Sequence, residues 1–491
     1  MVKKIFWLIC LAAVFNQVNA QKFKKLPESK ISVHSVEKHI RFLASDALLG
    51  RKTGEEGNNA AASYIAEEWR SYGVKPANGE SFFQTIPFEK ISQPEGAYLL
   101  SDGARLQVQD DFLVMSGEGV DLVNTEAVSV GYGWVSEDGS YDDFKDIDVK
   151  GKVIVAQMGT PDTKGFRAMF EASSAKEKIA REKGALAIIE IFSIPAPWEV
   201  VQSNFAERLT IDQASGNGLS RILVMPKTAQ KLSGQFIDMH VGALVQKPVP
   251  SNNVVGIIEG SDPDLKKEYV ILSAHYDHVG FREAKDASDD YIFNGARDNA
   301  MGVSAVLEAA KALSEKPAKR SFLLLAFTGE EMGLLGSKYY AEHPLIPLSQ
   351  CVFNLNIDGA GYNDTSIITG IGVERTGAES EIRKAVEQMG LKLMPDPVPE
   401  QGLFDRSDNV SFAAKGIPAP SFSPGFTAFD EALMRFYHKE ADEATTLDFA
   451  YCTTFDKAYV YAARLVANKA GAPRWVKGDK YEEAGKALYG Y

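Results

Sequence analysis

From residue 253 onward, short apolar runs alternate with stretches that carry an apolar stripe at helical spacing. The runs are continuous rather than alternating in polarity, which is typical of strands buried on both faces of a sheet. The clearest stripe predicts a helix facing the core and consists of Val303, Val306, Leu307, Ala310 and Leu313. The pattern predicts an α/β fold with a mixed, largely parallel sheet flanked by helices. The predicted strands are residues 254–258, 269–274, 322–327, 352–357 and 366–369.

The middle of the chain has a different texture, with shorter β-type runs between turn-rich stretches. One helical pattern, at 176–183, interrupts them. We therefore predict a smaller, mostly β domain at 111–250, inserted between a first part of the main domain at 21–110 and a second part at 251–491. The predicted strands of the inserted domain are 127–130, 152–156, 186–191 and 222–225.

The first twenty residues have the organisation of a secretory signal peptide. Lys3 and Lys4 precede an apolar run at 5–15, and a polar stretch then ends at the small residue Ala20. The run is too short to span a bilayer comfortably, and no later segment has 18 consecutive apolar residues. We expect a protein that is exported, to a periplasm or out of the cell, after cleavage near Ala20 and that has no stable membrane anchor.

Charge and cysteine content narrow the function classes. The 53 Lys and Arg against 66 Asp and Glu give a formal net charge of −13, which argues against a general nucleic-acid binder. Three cysteines exclude a disulfide scaffold and a cysteine-type zinc site. Cys351 and Cys452 are left either to pair or to be buried thiols.

Metal-ligand side chains follow three of the predicted strands at the point where each strand ends. Open α/β sheets bind ligands at the carboxyl ends of their strands, so we expect these side chains to lie close together. Two of them are adjacent glutamates, which cannot point the same way, so that one can bind a metal while the other stays free as a base. The side chains are His275, Glu330, Glu331 and Asp358.

Two further ligand-type residues complete a candidate zinc site. Asp298 begins the predicted helix, and His438 lies in a polar loop. Two zinc ions need one shared ligand and at least two others each. Asp298 as the shared ligand meets that count, with His275 and Asp358 on one ion and Glu331 and His438 on the other.

Four motifs in chain order resemble the co-catalytic di-zinc aminopeptidases. That family includes bacterial leucyl aminopeptidases, with glutamate carboxypeptidases and glutaminyl cyclases as relatives. The resemblance is dense from residue 253 to about 463 and extends to the N-terminal region around Gly50-Arg51 and Thr53-Gly54. The motifs are His-Tyr-Asp-His-Val-Gly at 275–280, Asn-Gly-Ala-Arg-Asp-Asn-Ala at 294–300, Gly-Glu-Glu-Met-Gly-Leu-Leu-Gly-Ser at 329–337 and Tyr-His at 437–438.

The resemblance implies the zinc-exopeptidase fold, two Zn²⁺ per chain and a role for each motif residue. The implied metal ligands are His275, Asp298, Glu331, Asp358 and His438. Glu330 is the implied general base, which takes a proton from a metal-bridging water and passes it to the leaving amine. Asp277 is implied to orient the ring of His275, and Asp442 that of His438. We expect His278 to support its loop rather than to bind metal.

The middle segment resembles a protease-associated domain at 141–155 and 178–189. Such domains are inserted into many secreted members of the family. The resemblance implies that 111–250 is a non-catalytic module that shapes access to substrate.

The favoured function is an exported exopeptidase that removes N-terminal residues from peptide substrates. A carboxypeptidase of the same family is the main alternative, with Arg297 or Arg406 holding the substrate carboxylate. A non-catalytic binding ectodomain is disfavoured because all five ligands and the base are present. Asn409 stands where relatives often carry His, and with Arg297 it bears on substrate preference rather than on metal binding. The aromatics Phe404, Phe412, Phe422, Phe426 and Phe429 fit either an apolar pocket or core packing. The sequence leaves the oligomeric state open.

Overall fold

The computed structural model describes residues 21, 23–163, 166–194, 197–211 and 218–491. The predicted signal peptide, with Cys10 inside it, lies outside the described residues. Within the described part of the chain, no helix is both long enough and apolar enough to cross a membrane.

Twenty strands form in the described residues. In chain order they are β1 (Lys75–Pro76), β2 (Phe83–Ile86), β3 (Glu89–Ser92), β4 (Tyr98–Ser101), β5 (Ala104–Gln107), β6 (Phe112–Ser116), β7 (Gly119–Ser129), β8 (Val153–Gln157), β9 (Ala187–Ile191), β10 (Glu207–Thr210), β11 (Ser220–Val224), β12 (Phe236–Gly242), β13 (Val245–Pro248), β14 (Ser251–Ile258), β15 (Tyr269–His275), β16 (Ser321–Phe327), β17 (Cys351–Ile357), β18 (Ile367–Ile371), β19 (Lys392–Pro395) and β20 (Ser421–Pro424).

Twelve α-helices accompany these strands within the same described ranges. They are α1 (Val33–Leu43), α2 (Glu56–Ser71), α3 (Phe166–Glu182), α4 (Trp198–Phe205), α5 (Pro226–Leu232), α6 (Met301–Glu315), α7 (Leu335–Glu342), α8 (Glu379–Gln388), α9 (Asn409–Ala413), α10 (Glu431–Met434), α11 (Phe449–Ala467) and α12 (Glu482–Tyr489).

The chain divides into two units. Unit 1 consists of the chain up to Ile86 and of Pro250–Tyr491, and unit 2 is Pro87–Val249. An insertion within a discontinuous main domain was predicted, but its start differs: the structure places it at Pro87 rather than at residue 111. The reason is that β3 to β6 pair with strands of unit 2, so this stretch belongs to the insertion.

Unit 1 is built on a nine-stranded sheet in the order β1-β14-β16-β15-β17-β20-β18-β19, with β2 also paired to β14. The central pairs β15/β16 and β15/β17 are parallel, whereas β14/β16 and β18/β20 are antiparallel. All residues of β16 and β17 are buried. The predicted α/β fold class with a mixed sheet is confirmed. The sheet is less parallel than predicted, because the pairs β1/β14, β2/β14, β14/β16 and β18/β20 are antiparallel.

Helices cover both faces of this sheet, which is why its central strands are apolar throughout. Phe322 and Leu324 of β16 pack into an apolar cluster with α1, α2, α6 and α11. Leu323 and Leu325 of the same strand pack on the other face with α7 and α9. Because neighbouring residues of a strand point to opposite faces, a strand between two helical layers must be apolar at every position.

Unit 2 contains an eight-stranded sheet in the order β5-β4-β12-β7-β8-β9-β11-β6 and a three-stranded sheet in the order β10-β3-β13. The four predicted strand runs of this region fall in β7, β8, β9 and β11, and the predicted helix falls in α3. The resemblance to a protease-associated domain stays a prediction.

Within each unit, the strand before the junction pairs with the strand after it. In unit 1, Ile86 of β2 is the antiparallel partner of Ser251 of β14. In unit 2, Glu89 of β3 is the partner of Pro248 of β13, and the N–H of Val249 donates to the carbonyl of Phe88 at 2.8 Å. The insertion therefore begins and ends at adjacent points of an antiparallel ladder.

The two described cysteines, Cys351 and Cys452, are buried free thiols. Of the two possibilities left by the sequence, the structure has the unpaired one.

Candidate metal centre

Three parallel strands deliver side chains to one edge of the unit 1 sheet. His275 is the last residue of β15, and in the strand register it lies opposite Phe327, the last residue of β16. Ala274 lies opposite Ile357, the last residue of β17. The chain continues from β16 into Glu330 and Glu331 and from β17 into Asp358, so the expected convergence at the strand ends occurs.

Asp298 lies between two histidines and directs one carboxylate oxygen to each. Its Oδ1 is 3.3 Å from Nε2 of His275, and its Oδ2 is 3.2 Å from Nε2 of His438. The residue has extended backbone angles, φ −112° and ψ 94°, three positions before the start of α6. The two oxygens are therefore placed to serve two different cations.

The remaining ligand candidates fall on the two sides of Asp298. On the first side, Nε2 of His275 is 3.4 Å from Oδ1 of Asp358. On the second side, Nε2 of His438 is 3.2 Å from Oε2 of Glu331. Within each set, one ligand atom per residue lies within 4.8 Å of the others. The structure thus brings together all five residues to which the resemblance gives a ligand role.

His278 also belongs to the second set, although we expected it only to support its loop. Its Nδ1 lies 2.9 Å from Oε1 of Glu331 and 3.9 Å from Oδ2 of Asp298. Its ring is buried, and its Nε2 has no hydrogen-bond partner among the described residues. The only signal in the sequence was its position directly after Asp277 in the first motif, which does not define a ring direction.

Asp277 acts mainly on the two glutamates rather than on the ring of His275. Its carboxylate accepts hydrogen bonds from the backbone N–H groups of Glu330 (3.2 Å) and Glu331 (3.3 Å). It also accepts from the hydroxyl of Thr53 at 3.0 Å. Nδ1 of His275 is nearer to the carbonyl oxygen of Asp277 (3.2 Å) than to its carboxylate (3.7 Å).

Two residues from the N-terminal motif region tie the loops of the site together. Thr53 accepts a hydrogen bond from the N–H of Gly329 while it donates to Asp277. The buried guanidinium of Arg51 donates to the carbonyls of Tyr276 (2.8 Å) and Asn294 (2.6 Å). Sequence reasoning gave neither residue a role; the Gly-Arg and Thr-Gly pairs of the family resemblance were the available signal.

The carboxylates of the centre have unlike environments. Burial raises the pKa of Glu330 well above its ordinary value, although His275 acts in the opposite direction. Burial raises the pKa of Asp408 to about 7, and neither of its carboxylate oxygens has a hydrogen-bond partner among the described residues. Burial opposes ionisation of Asp298 as well, but hydrogen bonds from His275 and His438 lower its pKa well below the usual range.

The neighbouring carboxylates favour the charged form of the two candidate ligand histidines, His275 and His438. Burial alone lowers the pKa of His438, but hydrogen bonds to Asp298 and Glu331 raise it to about 10. Burial acts the same way on His275, and the carboxylates of Glu330 and Asp358 raise its pKa well above the ordinary value. Several buried carboxylates lie around histidine nitrogens, and bound cations would compensate their negative charge. Zinc prefers mixed nitrogen and oxygen donors of this kind.

A cavity opens beside these groups. It is bordered on one side by Asp298, Glu330, Glu331, Asp358 and His438. Its apolar wall is Ile371, Leu403, Phe426, Phe429 and Leu433. Phe404, Phe412 and Phe422 are buried in the core instead, so the five aromatics divide between the two roles that the sequence left open.

The expected partnership of Asp442 with His438 is wrong. The carboxylate of Asp442 is bound by the backbone N–H groups of Arg297 and Asp298 and by the guanidinium of Arg297. Asp442 follows His438 by four positions in the chain, but the turn between them carries Asp442 towards the start of α6. Arg297 is consequently buried and paired, whereas Arg406 is exposed and lines the cavity.

One family profile matches the stretch of chain that contains this site. A profile of Peptidase family M28 matches residues 253–463, the stretch that contains every candidate ligand. Aminopeptidase YwaD of Bacillus subtilis is 29% identical over 200 residues, which cover 39% of this chain and 39% of that protein. A probable leucine aminopeptidase 2 of Aspergillus oryzae is 28% identical over 237 residues, covering 44% of this chain and 45% of that protein. The chain thus matches less than half the length of either relative.

Solved structures support the fold. The aminopeptidase from Aneurinibacillus sp. strain AM-1 superposes with a TM-score of 0.59 over 91% of this chain and 95% of that chain, at 20% identity. A zinc aminopeptidase from Bacillus subtilis superposes with a TM-score of 0.51 over 92% and 97%, also at 20% identity. At this identity the superpositions show that the α/β fold is shared. Residues 253–463 match the profile of Peptidase family M28, and the family resemblance of the motifs in this stretch is confirmed.

Proposed function

We propose that the protein is an exported di-zinc aminopeptidase that hydrolyses the first peptide bond of peptide substrates. One observation carries the proposal: two sets of ligand atoms share Asp298 and lie beside Glu330 in a cavity with an apolar wall. His275, Asp298 and Asp358 would hold one zinc ion. Asp298, Glu331 and His438 would hold the other, with Nδ1 of His278 close to Glu331.

Bound zinc would supply Lewis acidity, which polarises a peptide carbonyl and favours ionisation of water. Glu330 supplies the proton transfer. Its carboxylate lines the cavity and is buried, so that its raised pKa suits a group that accepts a proton from the attacking water and then gives it to the leaving amine. Asp277 holds the backbone on which Glu330 and Glu331 diverge, and it thereby keeps the base and the ligand apart.

The cavity wall suggests how a peptide binds. Phe426, Phe429 and Leu433 offer an apolar surface to the side chain of the first residue. The surrounding carboxylates favour the positively charged amino terminus of a peptide over a carboxylate. Both features support an aminopeptidase that prefers apolar first residues.

The carboxypeptidase alternative now rests on one arginine. Arg297 is paired with Asp442, but the exposed Arg406 lines the cavity and is free to meet a substrate carboxylate. This keeps cleavage at the C-terminal end as the second candidate function.

One experiment separates these candidates. The zinc-loaded protein is incubated with free and N-acetylated peptides, with and without chelator, and the products are identified by mass spectrometry. We expect chelator-sensitive loss of the first residue from the free peptides only. Trimming at the C-terminus regardless of acetylation would move the assignment to a carboxypeptidase, and intact peptides would leave the binding ectodomain.

Export and the role of unit 2 belong to the same proposal. The charged start, apolar run and small residue at Ala20 support a cleaved signal peptide, and a secreted protein whose N-terminus is Gln21 is the expected product. All the candidate ligands and the base lie in unit 1, which supports a non-catalytic role for unit 2 as a protease-associated module. Sequencing the N-terminus of the secreted protein tests the cleavage site.

A further inference from the structure

Three consecutive backbone N–H groups before α6 all donate to one residue. The N–H of Ala296 donates to the carbonyl of Asp442 at 3.0 Å. The N–H of Arg297 donates to both carboxylate oxygens of Asp442, at 3.1 and 3.0 Å, and the N–H of Asp298 donates to Oδ2 at 3.2 Å. The segment has no regular helical geometry at Asp298, so Asp442 replaces the acceptors that a helix or a strand would provide.

The side chain of Arg297 binds the loop that carries His438 and Asp442. Its Nη1 donates to Asp442 Oδ1 at 3.0 Å and to the hydroxyl of Thr446 at 2.7 Å, and its Nη2 donates to the carbonyl of Thr446 at 2.9 Å. The guanidinium carbon lies 3.7 Å from the centre of the Phe436 ring. These contacts fall on both sides of His438 in the chain, at Phe436 before it and at Asp442 and Thr446 after it.

His438 needs such support because its backbone has an unfavourable conformation. Its φ is +52°, the left-handed region that side-chain-bearing residues rarely adopt. Its ring is part-exposed, with 35% of the side-chain surface accessible, and its Nε2 meets Asp298 and Glu331. The ring also stacks on that of Tyr437, with centroids 4.1 Å apart, but Tyr437 belongs to the same loop. The His278 ring meets it edge-on, with centroids 5.4 Å apart. A loop of this kind keeps its ligand in place only if neighbouring contacts fix the loop.

We propose that Arg297 and Asp442 form a positioning pair that sets the separation of two ligands, Asp298 and His438, and so sets the affinity for zinc. The inference rests on the zinc centre proposed above and adds two residues that touch neither the metal nor the substrate. Both side chains are almost fully buried, at 4% and 1% exposure, so no water can replace the lost contacts without reorganisation. A buried charge pair that loses one member leaves the other uncompensated.

The test measures zinc affinity by competition with a fluorescent chelator and zinc content by atomic emission, on the full chain. D442N keeps the shape of the side chain but turns an amide N–H₂ towards one of its present donors. R297M removes the guanidinium group and its hydrogen bonds. R297K keeps the positive charge, but its single amino group cannot reach Asp442 and Thr446 together. We expect D442N and R297M to bind zinc about ten- to hundred-fold more weakly, with R297K between them and the wild type.

A second buried pair in unit 1 provides the matched control. Arg464 Nε lies 2.6 Å from Glu28 Oε1, at 4% and 0% exposure, and joins α11 to the N-terminal segment without contact to any candidate ligand. E28Q should lower the melting temperature of the metal-free chain as D442N does, yet leave the zinc affinity unchanged.

The readouts separate positioning from mere stability. Zinc affinities of D442N and R297K within twofold of the wild type, in chains that melt like E28Q, would overturn the positioning role and leave the proposed function intact. A wild-type chain that binds no zinc would overturn the proposed function itself. If R297M does not fold, D442N and R297K carry the comparison.

Discussion

Glu330 and Glu331 are neighbours in the chain but have opposite electrostatic environments. Two histidine hydrogen bonds lower the pKa of Glu331, against burial and the nearby Asp298. Burial raises the pKa of Glu330, and the charge of His275 offsets only part of this rise. The pair therefore divides into a ligand that stays ionised and a base that exchanges a proton.

The substitution Glu330→Gln tests this division. The amide keeps the size of the side chain but cannot accept the proton, so we expect kcat to fall by about two to four orders of magnitude. Zinc content should be unchanged, because the ligand atoms of Asp298, Glu331 and His438 are not altered. An E330Q protein with wild-type kcat and full zinc would assign the base elsewhere.

Asp298→Ala should have the reverse signature. Both ligand sets lose the carboxylate that they share, so we expect loss of zinc together with activity. Atomic emission on the dialysed protein measures the zinc, and circular dichroism checks the fold. Asp286→Ala, in the exposed acidic loop, serves as the control and should keep a full complement of zinc.

At the scale of elements, the sequence predicted best those features that depend on a single strand or helix. The apolar runs correctly predicted strands β14 to β18. The residues that follow these strands predicted that His275, Glu331 and Asp358 lie together, because the carboxyl ends of parallel strands meet at one edge of the sheet. The sequence did not give the contacts of Thr53 or Asp442. Those depend on where loops distant in the chain pass one another, which no local pattern encodes.

The packing of α1, α2 and α6 contains a buried histidine that makes stability depend on pH. Nδ1 of His39 on α1 lies 2.7 Å from the hydroxyl of Tyr64 on α2, and its Nε2 lies 3.7 Å from Glu308 on α6. Burial lowers the pKa of His39 to about 4, with Glu68 acting in the opposite direction. The charged groups that face this ring are Lys38, Glu68, Glu308 and Lys311.

This arrangement predicts a loss of stability in acid. The unfolded chain binds a proton at His39 below about pH 6.5 but the folded chain only below about pH 4, so the stabilisation present above pH 6.5 disappears as the pH falls to 4. Its size is about 3 kcal/mol at most. Relative to His39→Gln, the wild type should lose that much between pH 7 and pH 4 in urea unfolding. His34→Gln, at an exposed position of the same helix, should retain the wild-type dependence.

At the scale of the whole molecule, the residues of the candidate metal centre all lie in unit 1, whereas the insertion is unit 2. Every candidate ligand lies after Pro250, and Arg51 and Thr53, which brace the site, lie before Ile86. The sequence indicated this organisation through a change of texture, but it misplaced the first boundary because β3 to β6 are too short to show which sheet they join.

Unit 1 should therefore keep its metal centre without unit 2. In the variant, residues 87–250 are replaced by Asn-Gly, a two-residue turn that suits the pairing of Ile86 with Ser251. We expect a folded chain with the zinc stoichiometry of the full protein, measured by circular dichroism and atomic emission. The same shortened chain with D298A should bind no zinc. A shortened wild-type chain without zinc would show that the centre depends on unit 2.

The paired ends at the junction also bear on the order in which the chain folds. Joining Ile86 to Ser251 across roughly 160 disordered residues would cost about 4 to 5 kcal/mol in loop-closure entropy. Once unit 2 has folded, its own ladder between β3 and β13 already holds Phe88 beside Val249. Only a loop as short as that of a tight hairpin then remains between Ile86 and Ser251. Early folding of unit 2 would therefore lower the entropic cost of pairing β2 with β14 in the main sheet.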